Sequence, residues 1–158
     1  MQCQIRRAMP VDAHAISKVV IGALQESNAR DYPPEVIAQV EQNFCPDSIL
    51  ALMKQRQMYV AVVEQHVVGT ASLDRAVVRS VFVSPRHQGR GIGQQLMARL
   101  MDAALVAQID ELRVPSSLTA ESFYAQLGFH KVRDEFNGPE HTVIMALRLD
   151  ALIVAQLC

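Results

Sequence analysis

A strand, a glycine-punctuated loop and a helix succeed one another without a break in Val81-Phe-Val-Ser-Pro-Arg-His-Gln-Gly-Arg-Gly-Ile-Gly-Gln-Gln-Leu96. The apolar run closes before Pro85, glycines alternate from Gly89 to Gly93, and a helical repeat begins at once. Such a junction presents free backbone N–H groups to a phosphate at a helix N-terminus. What precedes it is equally constrained. Residues 59–63, 67–73 and 77–83 are β-rich, and only Glu64-Gln-His66 and Asp74-Arg-Ala76 join them. Connectors that short close hairpins and cannot carry a parallel crossover, so the three runs form an antiparallel meander.

The rest of the chain builds around this centre. Residues 91–108 read as a helix with Ile92, Leu96, Leu100, Ala103 and Ala107 on its apolar face and Gln95, Arg99 and Asp102 on its wet one. A brief strand at 112–114 leads to a helix over 120–127, with Thr119 as N-cap, Leu118 and Phe123 as a staple, and Gly128 as its C′ glycine. Strands at 129–132 and 141–149 follow, with a turn at Asn137-Gly138. Ahead of the meander, a strand at 4–8 precedes a helix N-capped by Asp12, which buries Ile16, Val19, Val20, Ala23 and Leu24. Pro33-Pro34 breaks the chain before short helices around Val36, Ile37 and Val40 and across 47–56. The expected fold is a single α+β domain over 1–158, a mixed sheet flanked by helices.

Composition removes several function classes. A net charge of -1 and the absence of Trp argue against nucleic-acid binding. The N-terminal Met-Gln-Cys-Gln-Ile-Arg-Arg7 holds no apolar block and no run reaches membrane-span length, so neither a signal peptide nor a membrane anchor is expected, and the expected location is cytoplasmic. Cys3, Cys45 and Cys158 lack metal or disulfide spacing and read as free thiols. His14, His87, His130 and His141 show no ligand pairing, so no metal is expected. The apolar residues 151–155 cover the core or the partner in a homodimer.

The glycine loop is neither a P-loop, since no Lys-Ser or Lys-Thr follows, nor a dinucleotide fingerprint, whose spacing and position differ. Gln88-Gly-Arg-Gly-Ile-Gly93 resembles instead the Gln/Arg-x-x-Gly-x-Gly/Ala acyl-CoA signature of the Gcn5-related N-acetyltransferases (GNAT). Downstream, Ser117-Leu-Thr-Ala-Glu-Ser-Phe-Tyr-Ala-Gln-Leu-Gly-Phe129 resembles that family's second motif, Asn-x-x-Ala-x-x-Phe-Tyr followed by Gly-Phe. The resemblance spans essentially the whole chain.

It implies a splayed central strand pair, 77–83 against 112–114, with acetyl-CoA in the opening as cosubstrate. A primary amine of a small molecule or peptide would attack the thioester directly. The amides of His87, Gln88, Gly89, Arg90, Gly91, Ile92 and Gly93 are then expected to hold the pyrophosphate, with added charge from Arg86 and Arg90. Gly93 serves equally well for tight helix packing. A backbone N–H near Phe82 or Val83 is expected to polarise the thioester carbonyl, and Tyr124 to protonate the departing thiolate. Ser117 stands where the family commonly has Asn, with Ser116 as an equal alternative.

No acid occurs from Val77 to Val83, so a strand-borne general base is missing; Glu26, Glu35, His66 or a water chain are the candidates. Glu26 belongs to the expected acceptor segment, 26–34. Asp31, Glu35, Asp134, Glu135 and Glu140 are placed to attract a cationic amine. A non-catalytic acyl-CoA-binding or regulatory protein is the alternative on this scaffold. A partner-binding protein in which the glycine loop is only a turn is a third reading.

Overall fold

The meander forms the middle of a seven-stranded sheet in the computed structural model, which describes residues 2–150. In chain order the elements are β1 (Cys3–Arg7), α1 (Ala13–Glu26), α2 (Pro34–Glu41), α3 (Pro46–Gln55), β2 (Gln57–Val63), β3 (His66–Asp74), β4 (Val77–Val83), α4 (Ile92–Val106), β5 (Glu111–Ser117), α5 (Glu121–Gln126), β6 (His130–Asn137) and β7 (Glu140–Arg148). The strand order is β1-β2-β3-β4-β5-β7-β6, and every neighbouring pair is antiparallel except β4 and β5.

That parallel pair is barely joined. Val77 and Arg113 form its one register pair, beside a 3.0 Å bond from Arg113 N–H to Ala76 O. Beyond them the strands part, as the resemblance implies, while β5 stays zipped to β7 from Glu111↔Arg148 to Ser117↔Thr142. Pro115 sits in this central strand, which runs to Ser117 and not merely to Val114. Proline is tolerated there because the edge facing β4 has no partner for the missing N–H.

Alternation along the strands feeds two cores. Tyr59, Ala61 and Val63 of β2 pack with Leu96, Met97 and Leu100 of α4, while Met58 and Val60 meet Ile16 and Val20 of α1 and Ile49 of α3. Each fully buried aliphatic side chain contributes about 1.5–3 kcal/mol. The buried face of α4 is Ile92, Leu96, Met97, Leu100 and Ala104. Ala103 is only half-buried and Ala107 is exposed. The stripe is centred toward Met97 and Ala104, and Ala107 lies past the last helical turn.

Two expected caps differ. Asp12 does not cap α1: its carboxylate takes Arg6 Nη1 and Nη2 at 2.8 and 3.0 Å and Met9 N–H at 2.7 Å, closing a short 3-10 turn. Thr119 does not cap α5 either. Its Oγ1 donates to Asp31 Oδ2 at 2.7 Å, and Ser117 Oγ accepts Ala120 N–H at 3.2 Å. In both cases a charged partner takes the side chain that would otherwise cap the helix: Arg6 nearby for Asp12, and Asp31 far along the chain for Thr119. Gly128 does end α5, with Phe129 N–H on Tyr124 O and Gly128 N–H on Ala125 O, both at 3.1 Å. Residues 151–155 and Cys158 lie outside the described residues. Among the described residues no helix is long and apolar enough to cross a membrane.

Candidate active site

The gap between β4 and β5 opens into a hollow of about 500 Å³. His87, Gln88, Gly89, Gly91, Ile92 and Gly93 line one side of it. Phe82, Val83, Ser117 and Tyr124 line it from β4, β5 and α5. Of the residues expected to hold the diphosphate, Arg86 and Arg90 are off this lining, and both are exposed.

The loop is shaped from both ends. Ser84 N–H bonds Val68 O, and His87 N–H bonds Ser84 O, both at 2.8 Å. Gln88 folds back, its Nε2 donating to Val83 O and to Ser27 Oγ at 3.0 Å each, which ties the loop to β4 and α1. Gly89 and Gly91 have φ of +78° and +79°, a region that an L side chain enters only with strain. Gly91 is the N-cap of α4, so the amides that follow have no partner within the helix and face the positive end of its dipole. This is a fitting cradle for a diphosphate. A Cβ on Gly93 would lie 3.1 Å from the Phe123 ring, so this glycine lets α5 pack tightly on α4. At the same wall His87 Nδ1 is buried without a hydrogen-bond partner.

Strand β4 is bulged at the site. Its register against β3 shifts between Thr70 and Ser72, leaving Ser80 and Val81 opposite Ala71, and Ser80 takes φ +55°. A non-glycine residue there stores strain of about 1–3 kcal/mol. Arg56 Nη1 holds it, donating to Ser80 Oγ at 3.1 Å. Past the bulge Phe82 faces Thr70, and Ser84 N–H is bonded to Val68. Ladder alternation therefore turns the amides of Phe82 and Ser84 toward β3, and those of Val81 and Val83 toward the opening. The Val83 carbonyl, taken by Gln88, agrees. Phe82 thus brings to the site its ring, set edge-on to Phe44 at 5.8 Å, and not its N–H. Val81 escapes sequence reasoning because the bulge that aims it is decided by pairing with β3.

Tyr124 is 4% exposed, between the rings of Phe123 at 5.1 Å and Phe129 at 5.6 Å. Burial alone pushes its phenol well above the ordinary tyrosine value, so it stays protonated. Ser116 is buried and donates to Ser117 O at 2.7 Å, on neither lining. Ser117 is the serine that faces the hollow.

A second hollow of about 620 Å³ adjoins the first, between α2, α3 and the sheet. The two share Asn28, Ser80, Phe82, Pro115 and Ser117, a wall with no titratable side chain. Glu26, Glu35 and His66 are exposed and line neither hollow. Of the acids expected near an acceptor, Glu140 lines the second hollow. Three more are engaged: Asp31 with Thr119, Glu135 with Arg133 at 3.1 Å, and Asp134 with Lys131 at 2.7 Å and His141 at 2.8 Å. Strand pairing gives His141 the carboxylate neighbour that linear spacing does not show.

Tyr32, within the acceptor segment expected over 26–34, lines the second hollow, and its hydrogen-bond partners are what sequence spacing does not reveal. Its hydroxyl accepts Leu118 N–H at 2.8 Å and donates to His141 O at 2.6 Å, binding the α1–α2 segment to both sides of the site. Among the described residues no group of three or more His, Cys, Asp or Glu side chains converges as a metal ion requires.

Residues 28–145 match the model of the acetyltransferase (GNAT) domain. The chain is 26% identical over 135 residues to the uncharacterised N-acetyltransferase YafP of Escherichia coli K12, covering 84% of each. Among solved structures it is similar to a GCN5-related N-acetyltransferase of Rhodopseudomonas palustris, with a TM-score of 0.88 at 21% identity over 94% of this chain and 96% of that one. It is also similar to PaiA N-acetyltransferase of Thermoplasma acidophilum in complex with coenzyme A, with a TM-score of 0.80 at 18% identity over 94% and 99%. The yncA structure of Salmonella typhimurium with its cofactor acetyl-CoA gives 0.64 at 24% identity over 94% of each chain.

Proposed function

The chain belongs to the GNAT acetyltransferase family, and from that premise we propose how its two hollows divide an acetyl transfer between them. The enzyme moves an acetyl group from acetyl-CoA to an amine. In this reading the first hollow takes the cosubstrate and the second takes the acceptor, a small molecule or peptide with a primary amine. The observation that carries it is the shared wall of Asn28, Ser80, Phe82, Pro115 and Ser117, which sets the two bound molecules end to end. The relatives solved with coenzyme A and acetyl-CoA support the assignment of the first hollow.

The His87 amide is already bonded to Ser84 O, so the amides of residues 88–93 hold the diphosphate on the dipole of α4. The Val83 amide pairs with the pantetheine arm, and the Val81 amide donates to the thioester oxygen as charge develops there, an effect worth about 3–4 kcal/mol in other acyl transfers. The acceptor nitrogen, already neutral, forms a bond to the carbonyl carbon as the carbon–sulfur bond breaks. Tyr124 gives its phenolic proton to the sulfur. Ser117 and Asn28 supply polar contacts at the point of attack. Because the shared wall offers no base, the proton lost from the amine leaves through water, which also returns a proton to the Tyr124 phenolate.

Release of free thiol from acetyl-CoA with a panel of amines, beside calorimetric titration with CoA, tests this reading. Saturable binding with amine-dependent release is expected. Binding without release from any amine favours the acyl-CoA-binding alternative, and no binding overturns the placement. We place the activity in the cytoplasm, on neither nucleic acid nor membrane. A homodimer joined through apolar residues 151–155 belongs to the same reading; light scattering at micromolar concentration checks it against a monomer.

A further inference from the structure

We propose that the acetyl acceptor carries a carboxylate at the end remote from its reacting amine, and that Arg56 and Arg79 of the second hollow receive it. The inference rests on the acetyl-transfer reading and names the substrate class for that site. Arg56 follows α3, Arg79 precedes the bulge of β4, and both line the hollow. Neither forms an ion pair with a carboxylate among the described residues, whereas Arg6, Arg113, Arg133 and Arg148 all do.

Arg56 spends Nη1 on the Ser80 hydroxyl, and its Nε is buried with no hydrogen-bond partner. Burial holds its guanidinium below the ordinary arginine value; the charge of Arg79 adds to that effect, against a weaker opposite pull from Asp74. Both groups remain cationic nonetheless. Two like charges set together and partly stripped of water are costly by themselves, and an anion between them removes that cost. The planar fork of a guanidinium matches a carboxylate with two parallel hydrogen bonds.

The hollow is also polar in one direction. Glu140 lines it too, but its charge acts on Tyr32, while Arg79 and Asp74 act on Arg56. A site with two arginines on one part and a carboxylate on another suits a molecule bearing both signs and disfavours a polyamine. Its length follows from Ser80. This residue touches Arg56 and belongs to the wall shared with the cosubstrate hollow, so the carboxylate and the attacking nitrogen are separated by few bonds. The acceptor is a short amino carboxylate.

The test compares 4-aminobutanoate and glycine with 1,4-diaminobutane, butylamine and an aminoalkylphosphonate, using the full chain and acetyl-CoA. The carboxylates are expected to exceed butylamine and the diamine, which lack an anionic group, at least tenfold in kcat/KM. That ratio collapses toward one in Arg56→Gln and in Arg79→Gln, with part of it restored by Arg56→Lys. A preference for the phosphonate would assign the arginines to a phosphate and overturn the carboxylate. Diamine or butylamine turning over as well as the carboxylates overturns the proposal outright.

A second measurement separates it from the catalytic reading. Calorimetry with the CoA-saturated protein should show binding of the amino carboxylates, weakened about tenfold by either arginine variant, the loss typical of one charge-assisted contact. If thiol release fails for every amine while this arginine-dependent binding persists, the acetyl-transfer reading falls and the anion site stands. No carboxylate binding by the wild-type protein at about 10 mM, beyond millimolar affinity, overturns the site.

Discussion

Burial of Tyr124 between Phe123 and Phe129 fixes the direction of its hydroxyl and keeps it protonated together. Because its pKa is raised, the donating form is complete below the ordinary value of about 10 and is lost only above it. Tyr124→Phe removes one hydroxyl and leaves both ring contacts, so fold and CoA affinity should persist while kcat falls about 100-fold, the low end of the usual range for a lost general acid. Steady-state kinetics with a confirmed acceptor decides; an unchanged kcat removes the phenol from the chemistry. Tyr124 was legible in the sequence because Phe123-Tyr124 and Gly128-Phe129 form a local pattern. Ser80, Val81 and the partners of Tyr32 were not. The first two are aimed by a bulge whose existence depends on β3, and Tyr32 finds its partners at Leu118 and His141, far along the chain.

Elements were readable as periods and blurred at their ends, where charge competes with local capping. The Arg6–Asp12 pair shows the competition: the guanidinium, with help from Met9 N–H, holds the Asp12 carboxyl below the usual range. Since the folded value is depressed, this contribution is present above the unfolded carboxylate value of about 3.9 and is lost as pH falls through the lower folded one. Asp12→Asn should cost about 1–3 kcal/mol at neutral pH, the span for hydrogen bonds to charged groups. Denaturant midpoints for the two proteins should converge below about pH 4, where the wild-type contribution is titrated away. At the other end of the sheet, Gly91 fixes how α4 meets its loop. Gly91→Ala tests strain at φ +79° alone, worth about 1–2 kcal/mol, and Gly91→Asp adds a negative charge to the cradle. Calorimetry should show CoA affinity falling in both variants and further in the aspartate; equal affinity in all three proteins would displace the diphosphate from this loop.

At the scale of the molecule, the site exists because β4 and β5 are in register only at Val77 and Arg113 and then diverge. The meander and the glycine loop were legible from connector length and spacing, and the divergence only through family resemblance. The second hollow was legible only in part: segment 26–34 and Glu140 were expected on the acceptor side, and Asn28, Tyr32 and Glu140 line it, but α3 and β4 lend side chains from stretches that linear spacing does not connect. Its meeting with the first hollow has a kinetic consequence. The shared wall holds Asn28, Ser80, Phe82, Pro115 and Ser117 and no group that takes a proton near neutrality, while Glu26, Glu35 and His66 stand outside. The reactive fraction of acceptor is then set by the acceptor's own ionisation. kcat/KM should rise tenfold per pH unit and level off at the amine's pKa, about 8 for an α-amino group and above 10 for an alkylamine. Tyr124 imposes no earlier fall, because its proton is retained beyond the ordinary phenol range. Profiles measured with two acceptors of different basicity distinguish the cases: an inflection that moves with the acceptor is expected, and one fixed near pH 6–7 for both, roughly where a histidine or raised carboxylate titrates, would mean that a protein side chain removes the proton.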